Sequence, residues 1–262
     1  CKILQKMGYS TIVVDWRGQG LSDRLLANIH KGYVNKFQDY VDDLQYLIKE
    51  IVTLHTSAKP YLLAHSMGGA IATRFMQDCP SAIKAAVISA PMLGFNSGFL
   101  SQNIAKALIT SKLFINNITR NDPWYFLGQK NYSAISFTDN KLTHSPDRYK
   151  HFIELYKNNK AIQLGGVTTH WLAQSIIAQN EIFAKLVQLK TPILLLQAGA
   201  DTVVCQQAQI DFCLQLHAIH PQSCPKGLPS KIDHAFHELF FEIDDYRNQA
   251  IAQSLDWFQQ QA

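Results

Sequence analysis

Along this 262-residue chain, short and almost unbroken apolar runs alternate with longer stretches in which apolar residues recur every three or four positions. The short runs are STIVVDW (10–16), KPYLLAH (59–65), IKAAVISA (83–90), TPILLLQA (191–198) and a weaker LPSKID (228–233). Apolar character that is continuous rather than alternating predicts strands covered on both faces, the signature of a parallel sheet. The clearest helical stretch runs from about 35 to 51, where Phe37, Tyr40, Val41, Leu44, Leu47, Ile48 and Ile51 share one face. Asn35 is placed to cap this helix with Gln38 in the reciprocal position, and Asp39 suits the positive end of the dipole. A second helix is expected over 67–78, stopping before Pro80, and a third over about 238–260. Strands alternating with helices make this an α/β chain, a mostly parallel sheet with helices on both faces.

About a hundred residues separate the runs ending near Ala90 and beginning near Thr191, and they carry helical patterns with no strong strand. That is too long for a loop, so 93–190 is expected to be an inserted helical cap, dividing the core into 1–92 and 191–262. The cap also holds most of the charge imbalance. Residues 93–190 contain 11 Lys and Arg against 5 Asp and Glu, a surplus of six in a chain whose net charge is +4. This basic excess is read either as a solvated face or as a surface for anionic phospholipid; no nucleic-acid motif accompanies it. No apolar run approaches the roughly 18 residues of a membrane span. The five cysteines are scattered without a C-x-x-C pair, which argues against a disulfide framework or a zinc ribbon. The opening CKILQKMGYS reads as the end of a helix entering a strand, so the chain is expected to lack its true N-terminus and the strands before it.

The chemistry starts at LLAHSMGGAI (62–71), where an apolar run stops at Ser66 and glycines follow. A serine between a buried strand and a helix is either a helix N-cap or the nucleophile of a strand–turn–helix elbow. The elbow is so tight that residues two positions away must be small, and Ala64, Gly68 and Gly69 satisfy this despite the missing first glycine of G-x-S-x-G. There the backbone N–H of Met67 would face a developing oxyanion. A serine nucleophile needs a base, and the base an orienting acid, in the chain order Ser, acid, His. Asp201 follows the TPILLLQA run in GADTVV, and KIDHAFHELFFE offers His234 and His237. His237, directly before the last helix, is the expected base, with His234 a loop residue. The spacing in HAFHE does not put two ligands on one helical face, so no metal is expected, and no cofactor.

These segments resemble the serine-hydrolase branch of the α/β-hydrolase family. DWRGQGLSDR (15–24) is similar to that family's D-x-R-G-x-G-x-S segment, in which Asp15 and Arg17 would organise a turn that Gly18 and Gly20 permit. LLAHSMGGAI, QAGADTVV and HAFHELFFE match its elbow, acid and histidine segments. Together with NKLTHSPDRY (140–149) and LGGVTTHWL (164–172), they resemble bacterial inner-membrane lysophospholipases, with monoacylglycerol lipases as nearest relatives. The resemblance implies the α/β-hydrolase fold, a second oxyanion donor upstream of residue 1, and hydrolysis of a lysophospholipid or other monoacyl lipid by Ser66, Asp201 and His237. It further implies a cytoplasmic protein held peripherally at the inner membrane through the basic cap, with no obligate protein partner. His65, Phe95, Phe99 and Trp171 are expected substrate contacts. The competing readings are a monoacylglycerol lipase or general carboxylesterase, an acyltransferase, and a non-catalytic binding protein of the same fold.

Overall fold

The computed structural model describes residues 2–96 and 122–262. Four short strands, β1 (Leu62–His65), β2 (Ala86–Ser89), β3 (Ile193–Ala198) and β4 (Ser230–Ile232), form one parallel sheet in chain order. The register pairs Leu62 with Ala86, Ala86 with Ile193 and Leu196 with Ser230. Each strand lies inside an expected apolar run. Among the described residues the α-helices, in chain order, are α1 (Lys2–Lys6), α2 (Gln38–Tyr46), α3 (Met67–Asp78), α4 (Pro146–Asn158), α5 (Thr169–Ala184), α6 (Gln206–Ile219) and α7 (Asp244–Gln260).

The unbroken apolar runs follow from burial on both faces. Ile88, Ile193 and Leu195 point into one core, which also takes Val41 and Leu44 of α2, Ile71 and Phe75 of α3, Trp171 and Ile182 of α5, and Phe212 of α6. The alternate residues Val87, Leu194 and Leu196 point the other way, onto Trp257 and Phe258 of α7. A strand with a period of two therefore needs no polar positions when both sides are covered.

Three local expectations are corrected. The run at 10–16 is not a strand: no backbone hydrogen bond joins residues 10–15 to another segment among the described residues, and Val13 is 75% exposed. β-branched residues favour extended backbone, but a strand exists only through its ladder, and no described segment supplies the partner. The helix expected over 35–51 begins at Gln38, with Phe37 rather than Asn35 at its cap, and passes into a π-helical turn at Leu47–Ile51. The Asn35 carbonyl instead accepts from His170 Nε2 at 2.8 Å, while Asp39 Oδ2 takes the Lys36 N–H at 3.1 Å. The last helix starts at Asp244, six residues later than expected, because Glu242 is extended (ψ 172°) with its carboxylate turned into the protein.

Among the described residues of 93–190 there are isolated bridges but no sheet strand. The segment is tied to the core at both ends: the Gly94 carbonyl accepts from Cys205 N–H at 3.0 Å, and α5 packs on α3. The DWRGQG turn is closed on itself and also joined to α2, since Gly18 N–H donates to the Asp23 carbonyl (2.9 Å) and Arg17 donates twice to Asp43 (2.6 and 2.5 Å). Asp15 Oδ2 accepts the Leu21 N–H at 2.9 Å, and Gly18 and Gly20 both have left-handed backbone (φ 77° and 52°).

Candidate active site

Ser66 joins β1 to α3 with φ 51° and ψ −119°, a conformation that L-residues avoid. The turn is over-determined by its surroundings: Ser66 N–H donates to the Ser89 carbonyl (2.9 Å), and the Ser66 carbonyl accepts from Met92 N–H (3.0 Å). The small residues behind it are not equivalent. A Cβ on Gly69 would lie 2.7 Å from Pro91 Cβ, whereas one on Gly68 would meet only Trp16 Nε1 at 3.6 Å. Gly69 is thus the position that lets α3 cross close to the end of β2.

The Ser66 hydroxyl makes no capping bond to α3. It lies 2.9 Å from His237 Nε2, and His237 Nδ1 lies 2.8 Å from Asp201 Oδ2. Three residues from two ends of the chain therefore make one hydrogen-bonded line, at the C-terminal ends of β1, β3 and β4. Asp201 is fixed as an acceptor in its own right, since Oδ1 takes the N–H groups of Val203 (2.7 Å) and Val204 (3.2 Å). The acid and histidine loops are laced by Gly199 N–H to the Ile232 carbonyl and Ala200 N–H to the Ala235 carbonyl, both 2.9 Å. A Cβ on Gly199 would come within 2.9 Å of Asp233 Cα, so only glycine permits that approach. Asp201 and His237 are buried, and the Met67 N–H has no protein acceptor among the described residues. His234 is exposed and turned away in a left-handed conformation (φ 63°).

Sequence reasoning passed over two carboxylates around His237. Glu238 places Oε2 3.1 Å from His65 Nε2, although the N–H does not aim along that line, so the contact is electrostatic rather than directional. Burial pushes the Glu238 carboxyl up, but the charge and contact of His65 outweigh it and hold it below the usual carboxylate range. Burial likewise pushes His65 down, and Glu238 and Asp201 more than compensate, leaving it above an ordinary histidine. Glu242 is fully buried. Its oxygens accept from the N–H groups of Phe236 (2.7 Å), His144 (2.9 Å) and Ile243 (2.9 Å), and contact His144 Nδ1 at 2.7 Å. Burial raises this carboxyl too, yet those donors bring it below its ordinary value. The only available signal was the pair of acids in HELFFE, immediately after the histidine.

The other expected contacts divide. Trp171 is buried, with Nε1 donating to Tyr40 Oη at 3.3 Å and its ring 6.3 Å from the half-buried Phe95. His65 has Ser89 Oγ 3.4 Å from Nδ1 and Glu238 on its other nitrogen, so both are engaged by the protein. Phe99 lies outside the described residues. His65, His237 and Glu238 form a group whose potential ligand atoms lie within 4.8 Å of one another. Because Asp201 and Ser66 engage both His237 nitrogens, that group serves first as an ion pair beside the histidine. A hollow of about 630 Å³ lined by Lys59, Lys84 and Lys190 sits at the opposite, N-terminal ends of the strands, away from this chemistry.

A family model described as serine aminopeptidase, S33 (Hydrolase_4), matches residues 1–244. The chain belongs to that family. It is 38% identical over 256 residues to lysophospholipase L2 of Escherichia coli K12, covering 96% of this chain and 73% of that protein. It is 31% identical over 245 residues to the probable lysophospholipase L2 of Haemophilus influenzae, covering 93% and 73%. Among solved structures, the monoacylglycerol lipase of Paleococcus ferrophilus superposes with a TM-score of 0.68 at 18% identity, covering 95% of this chain and 82% of that one. At that identity the likeness is one of fold, and the fold is that of the α/β-hydrolases.

Proposed function

We propose that this S33-family protein is a carboxylic ester hydrolase that releases the fatty acid from lysophospholipids. The chemistry is supported by the Ser66–His237–Asp201 line; the substrate class rests on the 38% identity to lysophospholipase L2 across almost the whole chain. His237 Nε2 accepts the Ser66 proton as Oγ attacks the acyl carbonyl, and Asp201 holds the imidazole in the required tautomer and balances its positive charge. The Met67 N–H stabilises the oxyanion. When the tetrahedral intermediate collapses, His237 returns the proton to the departing glycerophospho-alcohol. Water, activated by the same histidine, then cleaves the acyl-enzyme to fatty acid and free Ser66. The site needs no cofactor.

In this reading 93–190 is a cap over the strand ends, with Phe95 and Trp171 on the acyl side. Its surplus of basic residues draws the enzyme to the anionic cytoplasmic face of an inner membrane, where its substrate is found. Among the described residues no helix is long and apolar enough to cross a membrane. Sedimentation with vesicles tests this: binding to phosphatidylglycerol but not phosphatidylcholine vesicles, lost as salt rises, is expected, and equal binding to both would overturn it.

Fatty-acid release is to be measured from lysophosphatidylethanolamine and from monoacylglycerol in parallel. Ser66→Ala is expected to reduce it by roughly 10⁴-fold or more. Faster Ser66-dependent release from monoacylglycerol would favour the lipase reading.

A further inference from the structure

Two consecutive residues at the end of β1 meet two consecutive residues of the histidine loop. Ser66 faces His237 at 2.9 Å, and His65 faces Glu238 at 3.1 Å. The two imidazole rings lie 4.8 Å apart, with their planes at 58°. The Ser66–His237 bond must break and re-form in every turnover, because its proton is transferred and returned. The His65–Glu238 contact takes no part in that transfer. It is anchored on both sides, His65 by Ser89 Oγ and its place in β1, and Glu238 by its N–H donating to the Leu142 carbonyl (2.9 Å).

We propose that His65 and Glu238 are positioning residues, a second strap between the nucleophile turn and the histidine loop that holds His237 over Ser66 and, because its two charges cancel, adds no net charge beside the base to that of Asp201. This rests on the hydrolase reading above. The directions in which the two groups are perturbed, His65 above an ordinary histidine and Glu238 below an ordinary carboxyl, are those of a charged pair. Among the described residues, the other ionisable groups acting on the strap are Asp201 from the loop after β3, His237 itself and, from α4, Tyr156; β2 contributes the neutral hydroxyl and backbone of Ser89. The pair also explains why a histidine precedes the serine: a neutral polar residue there would leave the half-buried Glu238 as an uncompensated anion beside the base.

The two halves of the pair have opposite consequences. Removing the imidazole leaves a carboxylate near His237, which favours imidazolium and moves the acid limb of the kcat/KM profile to higher pH. Removing the carboxylate leaves a cation, or a neutral ring, and moves the limb lower or not at all. The experiment compares pH profiles of wild type, His65→Asn, Glu238→Gln and the double variant. It also follows the His237 ring resonances by NMR titration in a Ser66→Ala background, where no turnover is needed. The expected results are an upward shift on the order of one pH unit for His65→Asn, a downward or null shift for Glu238→Gln, and a double variant close to wild type in pH dependence but at least 10-fold lower in kcat. Glu238→Asp should keep the wild-type profile. Equal shifts in the same direction, or unchanged profiles and kcat in folded variants, would overturn the proposal. If wild type shows no Ser66-dependent hydrolysis, the hydrolase reading fails, and the NMR titration still decides the strap by the same signs.

Discussion

Ser66 has a backbone that costs on the order of 1–3 kcal/mol, and its neighbours hold it there. The tightest of these is Gly69, where an added methyl would meet Pro91 Cβ at 2.7 Å. Gly69→Ala is therefore expected to destabilise the fold by about 1–3 kcal/mol and to reduce turnover by disturbing the elbow, while Gly68→Ala, with a nearest contact of 3.6 Å, should be close to neutral in stability. Urea unfolding of the two variants checks this, and equal losses would remove the distinction. The demand for small residues was legible in AHSMGG; which glycine was indispensable was not, because it depends on a proline 22 positions further on.

Between the last strand and the last helix, Glu242 decides where each element ends. Its buried carboxylate gathers N–H groups from the histidine loop, from 144 and from the start of α7, so the chain cannot become helical until Asp244. Glu242→Gln removes a charged acceptor of several bonds and should cost about 3 kcal/mol at neutral pH. The carboxyl is held below its unfolded value, so its contribution is complete above the unfolded carboxyl pKa of about 4.3 and is lost as pH falls through the lower folded value. Wild-type stability should fall across that acid window, and the Glu242→Gln curve should be flatter there; parallel curves would count against the assignment. The Arg17–Asp43 pair is a contrasting case. Both side chains are about one-third exposed, so Asp43→Asn should change stability by no more than about 1 kcal/mol despite the short contacts. The misplaced helix start at 238 has the same origin as the missed carboxylate: local periodicity continues through HELFFE, and only partners brought in from 144 and 236 turn Glu242 inward.

For the molecule as a whole, the sheet separates two cores that share strands but little else. Ile71 belongs to one and Phe258 to the other. Ile71→Val and Phe258→Leu should each cost about 1 kcal/mol, and their effects should add within roughly 0.5 kcal/mol. A larger coupling, measured by a double-mutant cycle, would mean that the sheet transmits strain from one face to the other.

The α/β class, the positions of four strands, the helix Met67–Asp78 and the order of Ser66, Asp201 and His237 were all legible from the residues alone. Each depends on spacing within a few positions or on the small set of turns that such spacing allows. The tertiary structure decided the remainder. It left 10–16 without a ladder, moved the caps of two helices and brought the hydroxyl of residue 66 to the ring of residue 237. It also set His65 and Glu238 side by side and turned Glu242 into the protein. These features depend on partners tens to hundreds of residues away, and a local pattern carries no information about which buried polar group will meet which. Periodicity records which side of an element is dry, whereas the pairing of charges and donors inside that dry space is set only when the elements pack.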